Sequence, residues 1–409
     1  MDTLHIVVVN DFGYVNGGAS QVALTSARAL ARRGFRVTLF CAVGPVIPEV
    51  TAAGADTICC DHQEISRDSN RIRAACQGIW NRAAATKFSE FLDSLDPLQT
   101  VIHLHSWTKA LSSSIVPIAL GKRFRLVLTV HDYFLACPNG GFFNYRKNEI
   151  CRLQPLSLIC LASNCDRRRF SHKLWRSTRQ IIQERWGQIP CGIRHLITVS
   201  DFSRSILEPF LVAEPTTYHV ANPILVEKSE PARVEDQKSY TAVGRIDRHK
   251  GALLFARAAK NTRTSIIFAG EGECQDEVLA ICPSVEVTGW LSHDDVIRKL
   301  RRSRALVFPS FWYETQGLVV LEAAALGVPA IVPDTSAARE MVTDGKTGLW
   351  FRGGDVNDLA DKMRILQDGQ RAKQMGQAAY DRYWADPFTV ERHADGLEEV
   401  YRGMLGLTS

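Results

Sequence analysis

Short β-branched runs alternate with stretches of helical spacing, and this alternation passes through the chain twice. Leu4–Val9 (LHIVVV) is followed by Ser20–Arg33 (SQVALTSARALARR), then Gly34, then Arg36–Cys41 (RVTLFC). That is strand, helix, glycine stop and strand, one βαβ unit. Val101–His105, Arg125–Val130 and His195–Val199 read as further buried strands. The second series places strands at Ser239–Val243, Ser265–Ala269, Val285–Thr288, Ala305–Phe308 and Ala330–Val332. Helices are expected at Ala252–Lys260, Val296–Arg302 and Gly317–Leu326. A pattern of this kind calls for an α/β fold of parallel sheets with helices on both faces. Between the series, Ala221–Lys238 (ANPILVEKSEPARVEDQK) is rich in proline and charge and weak in periodicity. The expected organisation is therefore an N-terminal domain over 1–222, a linker over 223–238, a C-terminal domain over 239–385 and a closing helix over 386–409.

Length agrees, since 409 residues suit two or three domains. A hydrophobic fraction of 45% with 23% charged residues excludes disordered and collagen-like classes. Eleven cysteines are too sparse for a stapled secreted scaffold. No apolar run approaches the ~20 residues that span a bilayer. The opening MDTLHIVVVN shows no basic segment and no cleavage site. A soluble, cytoplasmic protein with reduced thiols is the expectation.

Charge is unevenly divided. Residues 1–222 hold 25 Lys+Arg against 17 Asp+Glu, a balance of +8, whereas 223–409 hold 24 against 27, a balance of −3. A basic first half suggests an anionic partner. The modest total of +5 argues against a dedicated nucleic-acid binder.

In open parallel sheets ligands bind beyond the carboxyl ends of the strands. Each polar cluster falls at such an end: Asp11–Ser20 (DFGYVNGGAS), His131 with Asp132, Gly244 with Arg245 and Lys250, Gly270–Gly272 (GEG), and Glu314. Gly17 and Gly18 precede a helix, where close backbone approach and free N–H groups suit an anion, although a plain turn would look the same. No GxGxxG is present, so a nicotinamide dinucleotide fingerprint is absent. Arg245 and Lys250 flank a tight turn in GRIDRHKG; two cations there could neutralise a pyrophosphate, or be solvated loop charges. Glu314 and Glu322 lie in FPSFWYETQGLVVLEAAALGVPAIV, the first in a loop and the second inside an apolar helix. The amides of Gly317 and Leu318 would open that helix and attract a phosphate. A carboxylate at Glu322 needs hydroxyls or cations to be tolerated; a ribose diol would serve, and a mere helix-dipole role is the bland alternative.

Taken together, GRIDRHKG, FAGEGE, VTGWLSHDDV and the E-x7-E segment ending in GVPAIV resemble the retaining GT-B glycosyltransferases of family 4. The first half adds the glycine pair, LTVHD and ITVSDFSRSIL, so the resemblance covers nearly the whole chain. It implies two Rossmann-like domains facing each other across a cleft. It also implies transfer of a hexosyl unit, with retention, from a nucleotide-diphosphate sugar to a saccharide or lipid-linked saccharide, in polysaccharide or glycolipid synthesis. Position by position, it implies that Arg245 and Lys250 hold the donor diphosphate and that Gly244 belongs to the donor-binding set. Glu322 would bind the ribose, Glu314 would face the transferred sugar, Gly317 and Leu318 would touch phosphate and sugar, and Glu271 would lie by the nucleobase. Gly17 and Gly18 would line the floor between donor and acceptor. His131 would sit by the sugar hydroxyls and, with Glu314, Arg245 and Lys250, form the catalytic set. Cations and helix-end amides would stabilise the leaving diphosphate, so no metal or other cofactor is expected, and no DxD-type pair ends a strand of the donor region. A non-catalytic binding module, or an epimerase or hydrolase on the same fold, are the alternatives.

Three features depart from that pattern or add to it. Asn222-Pro223 replaces the Asn-Gly expected after the last strand of the first domain, which removes an N–H. Cys137, Cys151, Cys160 and Cys165 occur in an insertion over 137–165, spaced C-x13-C-x8-C-x4-C. A zinc clip, buried reduced thiols and disulfides all remain open there. Arg167–Arg185 (RRRFSHKLWRSTRQIIQER) carries seven Lys+Arg and one acid with Phe170, Leu174 and Trp175 interleaved. Helical spacing would give a basic face and an aromatic face, suited to an anionic membrane surface at its inner side or to packing on its own domain.

Overall fold

The computed structural model describes residues 4–211 and 214–407. The chain divides into two compact units. One takes the residues up to Arg146, Cys151–Pro223 and the chain from Thr389 onward; the other takes Lys147–Ile150 and Ile224–Phe388.

The first unit is built on a seven-stranded parallel sheet. Its strands are β1 His5–Phe12, β2 Arg36–Val43, β3 Asp56–Cys59, β4 Thr100–Leu104, β5 Arg125–Thr129, β6 His195–Thr198 and β7 Thr216–His219, in the order β3-β2-β1-β4-β5-β6-β7. Every residue of β1 is buried, which is why its apolar run is continuous rather than alternating. The helix Gly18–Arg32 turns Val22, Ala23, Ala27 and Leu30 inward at helical spacing. Gly34, at φ 86°, then lets the chain return to β2.

The second unit has a six-stranded parallel sheet: β8 Tyr240–Val243, β9 Ile266–Ala269, β10 Glu286–Val287, β11 Ala305–Val307, β12 Ala330–Pro333 and β13 Gly348–Phe351. Its order is β10-β9-β8-β11-β12-β13. Val226 and Ala232, from the stretch expected as a linker, pack with Val234 against this unit's core.

Two helix starts differ most from the sequence expectation, and capping explains both. The helix expected from Val296 begins at His293, because Ser292 accepts the amide of Asp295 and starts it a turn earlier. The last helix runs Val390–Leu405, since Thr389 accepts the amide of Arg392 while Asp386 ends the preceding helix Gly369–Ala385. Leu397, Val400, Tyr401 and Met404 of the last helix enter the first unit's core. Its polar side chains are tied there too: Tyr401 Oη lies 2.6 Å from His103 Nδ1, and His393 Nε2 lies 2.9 Å from Ser26 Oγ.

The helix Phe170–Arg185 is a correction to the expected basic and aromatic faces. Its buried residues are polar: Lys173, Ser177, Arg179, Gln180 and Gln183. Three of them, Arg179, Gln180 and Gln183, turn inward to give neighbouring loop carbonyls their donors. Arg179 donates to the carbonyls of Thr108 and Pro138, Gln180 to Leu135 and Gln183 to Phe134. Trp175 is half-buried and donates to the carbonyl of Ala75. Nearby, Cys160 Sγ accepts from Lys173 Nζ at 3.3 Å and Cys165 Sγ from Asn139 Nδ2 at 3.1 Å. The four insertion cysteines are free thiols. Among the described residues, no three His, Cys, Asp or Glu side chains are grouped to hold a metal ion.

Candidate functional site

In each sheet the strand order reverses beside its first strand, between β1 and β4 in one unit and between β8 and β11 in the other. The loops leaving such a switch point diverge and open a crevice at the carboxyl edge. Candidate residues of both units lie on these loops.

In the second unit, the chain after β8 passes Gly244 at φ 125° and forms a short 3-10 turn, Arg248–Lys250. A side chain at Gly270 would place its Cβ 2.1 Å from the carbonyl oxygen of Gly244, so the loops after β8 and β9 touch backbone to backbone. Ile246 N donates to the carbonyl of Glu271, whose own side chain is exposed. Lys250 Nζ reaches the loop after β11 and donates to Glu314 Oε1 at 2.5 Å. Ser310 Oγ donates to the same oxygen at 2.7 Å. Lys250 also lies over the Trp312 ring, 4.9 Å from its centre. Burial pushes the Glu314 carboxyl up, but the Lys250 charge and the Lys250 and Ser310 hydrogen bonds outweigh it and hold the group below its ordinary range. Arg245 instead pairs with Asp247 Oδ2 at 3.1 Å, and Asp247 is wholly buried.

Glu314 leads into the helix Leu318–Ala325, for which Gly317 is the N-cap. First-turn amides have no carbonyl a turn earlier to receive them, so Gly317 and Leu318 bring donors and the positive end of the helix dipole to this edge. Glu322 lies within that helix and is buried. Its Oε1 is 3.1 Å from His293 Nε2. The bond to Glu322 raises the imidazole above its ordinary value, against the desolvation that lowers it. His293 was not among the candidates read from the sequence; the Ser292 cap, which sets it on the first helical residue, was the signal.

In the first unit, Gly17 is the N-cap of Gly18–Arg32 and adopts φ 94°, ψ 177°, a region open essentially to glycine. Asp11, near the end of β1, is fully buried and braces the loop after β4. Its Oδ2 accepts the amide of Lys109, and its Oδ1 accepts those of Ala110 and Leu111, all at 2.9–3.0 Å. His131 follows β5, and its Nε2 lies 2.9 Å from Nδ1 of His105, which follows β4. The two rings stack with centres 5.1 Å apart. Burial holds His131 down to about 3 and His105 well below its ordinary value, so both are neutral at physiological pH. Asp132 is pushed up to about 6 by burial, despite the amide of Phe134 on its Oδ1.

The second unit therefore brings Lys250, Glu314, Gly317 and Leu318 to one edge, with Glu322 one turn into the same helix. Arg245 and Glu271 share the adjoining loops without joining that ion pair. Gly17, Gly18 and His131 lie at the corresponding edge of the first unit.

Known proteins match along these same segments. The model of "Glycosyltransferase Family 4" matches residues 16–227, and that of "Glycosyl transferases group 1" matches 226–382. A glycogen synthase of Mycobacterium tuberculosis is 33% identical over 171 residues, covering 39% of this chain and 41% of that protein. An alpha-D-kanosaminyltransferase of Streptomyces kanamyceticus is 24% identical over 188 residues, covering 43% and 48%. These matches span less than half the length of either relative. Among solved structures, a sucrose-phosphate synthase from Thermosynechococcus elongatus superposes with a TM-score of 0.72 at 17% identity, covering 99% of this chain and all of that one. Anabaena Alr3699/HepE in complex with UDP and glucose gives 0.68 at 15% identity, covering 98% of this chain and all of that one. At such identities the likeness shows the fold alone.

Proposed function

The chain belongs to Glycosyltransferase Family 4, and from that membership we propose that it transfers a hexosyl unit, with retention, from a nucleotide-diphosphate sugar to a saccharide or lipid-linked saccharide. The observation that carries the reading is the Lys250–Glu314 ion pair beside the amino end of Leu318–Ala325. Cleaving a glycosyl–phosphate bond leaves charge on a nucleoside diphosphate. A lysine ammonium and helix-end amides fixed at one edge need little reorganisation to meet that charge. Lys250 and Arg245 serve the diphosphate, and Gly317 and Leu318 its oxygens and the sugar. Glu322, oriented by His293, takes the ribose diol. Glu314, held anionic, faces the transferred sugar. Gly244 and the backbone at Glu271 shape the loops beneath the nucleotide.

His131 is assigned to the acceptor side. A neutral imidazole at this strand end can exchange a hydrogen bond with a sugar hydroxyl. Gly17 and Gly18 offer close backbone approach at the same edge. The basic first half and the Arg167–Arg185 segment support a lipid-linked acceptor met at an anionic membrane surface. No described helix is long and apolar enough to cross a membrane.

The test is turnover of nucleotide sugars with and without acceptor. UDP-glucose is the first donor to screen, because structures of the Anabaena protein hold UDP, glucose and UDP-glucose. Glycoside formation that is lost in Lys250→Ala and Glu314→Ala supports the reading. Free sugar or an isomerised donor as the product would replace it, and undiminished transfer by both variants would remove the assigned roles.

A further inference from the structure

The helix Phe170–Arg185 is inverted for a surface helix. Arg179, Gln180 and Gln183 donate to loop carbonyls on its buried side, and Phe170, Leu174, Thr178, Ile181 and Arg185 are exposed on the opposite side. These positions recur at i, i+4, i+8, i+11 and i+15 and make one stripe. An apolar stripe facing water costs free energy unless something covers it. At its end the C-cap Trp186 is 62% exposed.

The insertion adds exposed apolar side chains beside this helix. Its short helix Leu158–Ala162 packs on Phe170–Arg185 through Cys160 Sγ and Lys173 Nζ. Leu158 and Ile159, just before Cys160, are 86% and 68% exposed. The surrounding charge is predominantly positive. Residues 151–186 carry eight Lys+Arg against two Asp+Glu, and Arg152, Arg168, Arg169 and Arg185 are exposed. One of the two acids, Asp166, is buried against Arg176 at 2.8 Å.

We propose that Leu158, Ile159, Phe170, Leu174 and Ile181, together with the exposed arginines of the same segment, dock on an anionic phospholipid bilayer. Singly projecting apolar side chains need no matching sockets in a fluid interface, whereas a protein partner would have to supply them. The arginines meet lipid phosphates, and Trp186 suits the headgroup layer. The inference rests on the lipid-linked-acceptor reading and gives it a place. The buried side of the helix holds the carbonyls of Phe134, Leu135 and Pro138, three to seven residues beyond His131. One helix thus faces lipid and positions the loop that follows the acceptor-side histidine.

The test is flotation of the full chain with phosphatidylcholine vesicles and with vesicles in which half the lipid is phosphatidylglycerol. Binding to the anionic vesicles alone, weakened by salt, is expected. Arg168→Glu with Arg169→Glu should weaken it roughly tenfold or more. Leu158→Asp with Ile159→Asp should abolish it while leaving thermal stability and transfer to a water-soluble acceptor unchanged. Binding that ignores lipid charge, or survives both double variants, overturns the proposal. So does a wild-type dimer that Leu158→Asp with Ile159→Asp dissociates, since the stripe would then be a protein interface. If the wild type floats with anionic vesicles yet transfers no sugar, the enzymatic reading fails and the docking surface stands.

Discussion

His293 Nε2 lies 3.1 Å from Glu322 Oε1, so the first residue of one helix holds a buried carboxylate in the middle of another. A carboxylate inside an apolar helix is costly without such a partner. His293 supplies it and still leaves the second oxygen of Glu322 available to a diol.

This pair has a definite pH signature. The folded-state value of His293 is raised above its ordinary 6.5, so its contribution is fully present below pH 6.5 and is lost as pH rises through the folded value. His293→Gln should therefore lower the melting temperature most at pH 6 and below, with the gap to wild type closing toward alkaline pH. If Glu322 binds the ribose, the same variant raises KM for the donor more than it lowers kcat. Melting curves and donor titrations at matched pH check both.

His5, His103, His105, His131 and His393, all in the first unit, have the opposite sign. Burial lowers His5 and His393 to about 4 and His131 to about 3, and it holds His103 and His105 well below 6.5. Neutral folded imidazoles confronting an unfolded chain that binds protons make stability fall as pH drops below 6.5. Hydrogen exchange should show the amides of β1, β4 and β5 losing protection between pH 6.5 and 4. Because His131 stays neutral, transfer rates should show no inflection from it between pH 5 and 8.

Lys250 and Glu314 can be separated into structural and chemical roles. Lys250→Met leaves Glu314 partly buried and unpaired, so it should lower both stability and turnover, the latter by on the order of 100- to 1,000-fold. Adding Glu314→Leu removes the stranded charge, and urea melts should then recover part of the lost stability. Turnover should not recover. Restored transfer in the double variant would mean that the pair is structural only.

Asp11 receives three backbone amides, two of them on one oxygen. Asp11→Ala orphans them in a buried setting, at about 1 kcal/mol or more each. A loss of about 3 kcal/mol in urea unfolding is expected.

Two glycines should respond unequally. A Cβ at Gly270 would sit 2.1 Å from the backbone oxygen of Gly244, whereas one at Gly17 would meet nothing within 4 Å. Gly270→Ala should cost ~3 kcal/mol or more, the top of the overpacking range. At Gly17 the Ala substitution carries backbone strain alone, about 1–3 kcal/mol. Thermal unfolding of the two single variants makes the comparison.

The central strands were legible because burial on both faces demands an unbroken apolar run, as in HIVVV of β1 and LVLT of β5. The strands β3 (DTIC), β7 (TTYH) and β13 (GLWF) lie at sheet margins, are short and carry mixed burial, so they send no comparable signal. Strand-end clusters identified Lys250 and Glu314 separately. Their contact depends on β8 and β11 being neighbours, which no local pattern encodes. The three amides on Asp11 come from residues 98 to 100 positions away. The inverted face of Phe170–Arg185 was hidden for a related reason: composition reveals amphipathicity, but only the loop carbonyls decide which side is inside.

Residues 390–405 supply Tyr401 to His103 and His393 to Ser26, and they complete the core around β1. The first unit is therefore a host domain into which the second is spliced along the polypeptide. During synthesis its hydrophobic centre stays unfinished until the entire guest has emerged from the ribosome. A nascent chain halted near Phe388 would keep a bare seam where Leu397 and Tyr401 belong, which makes that interval the window in which chaperones matter most.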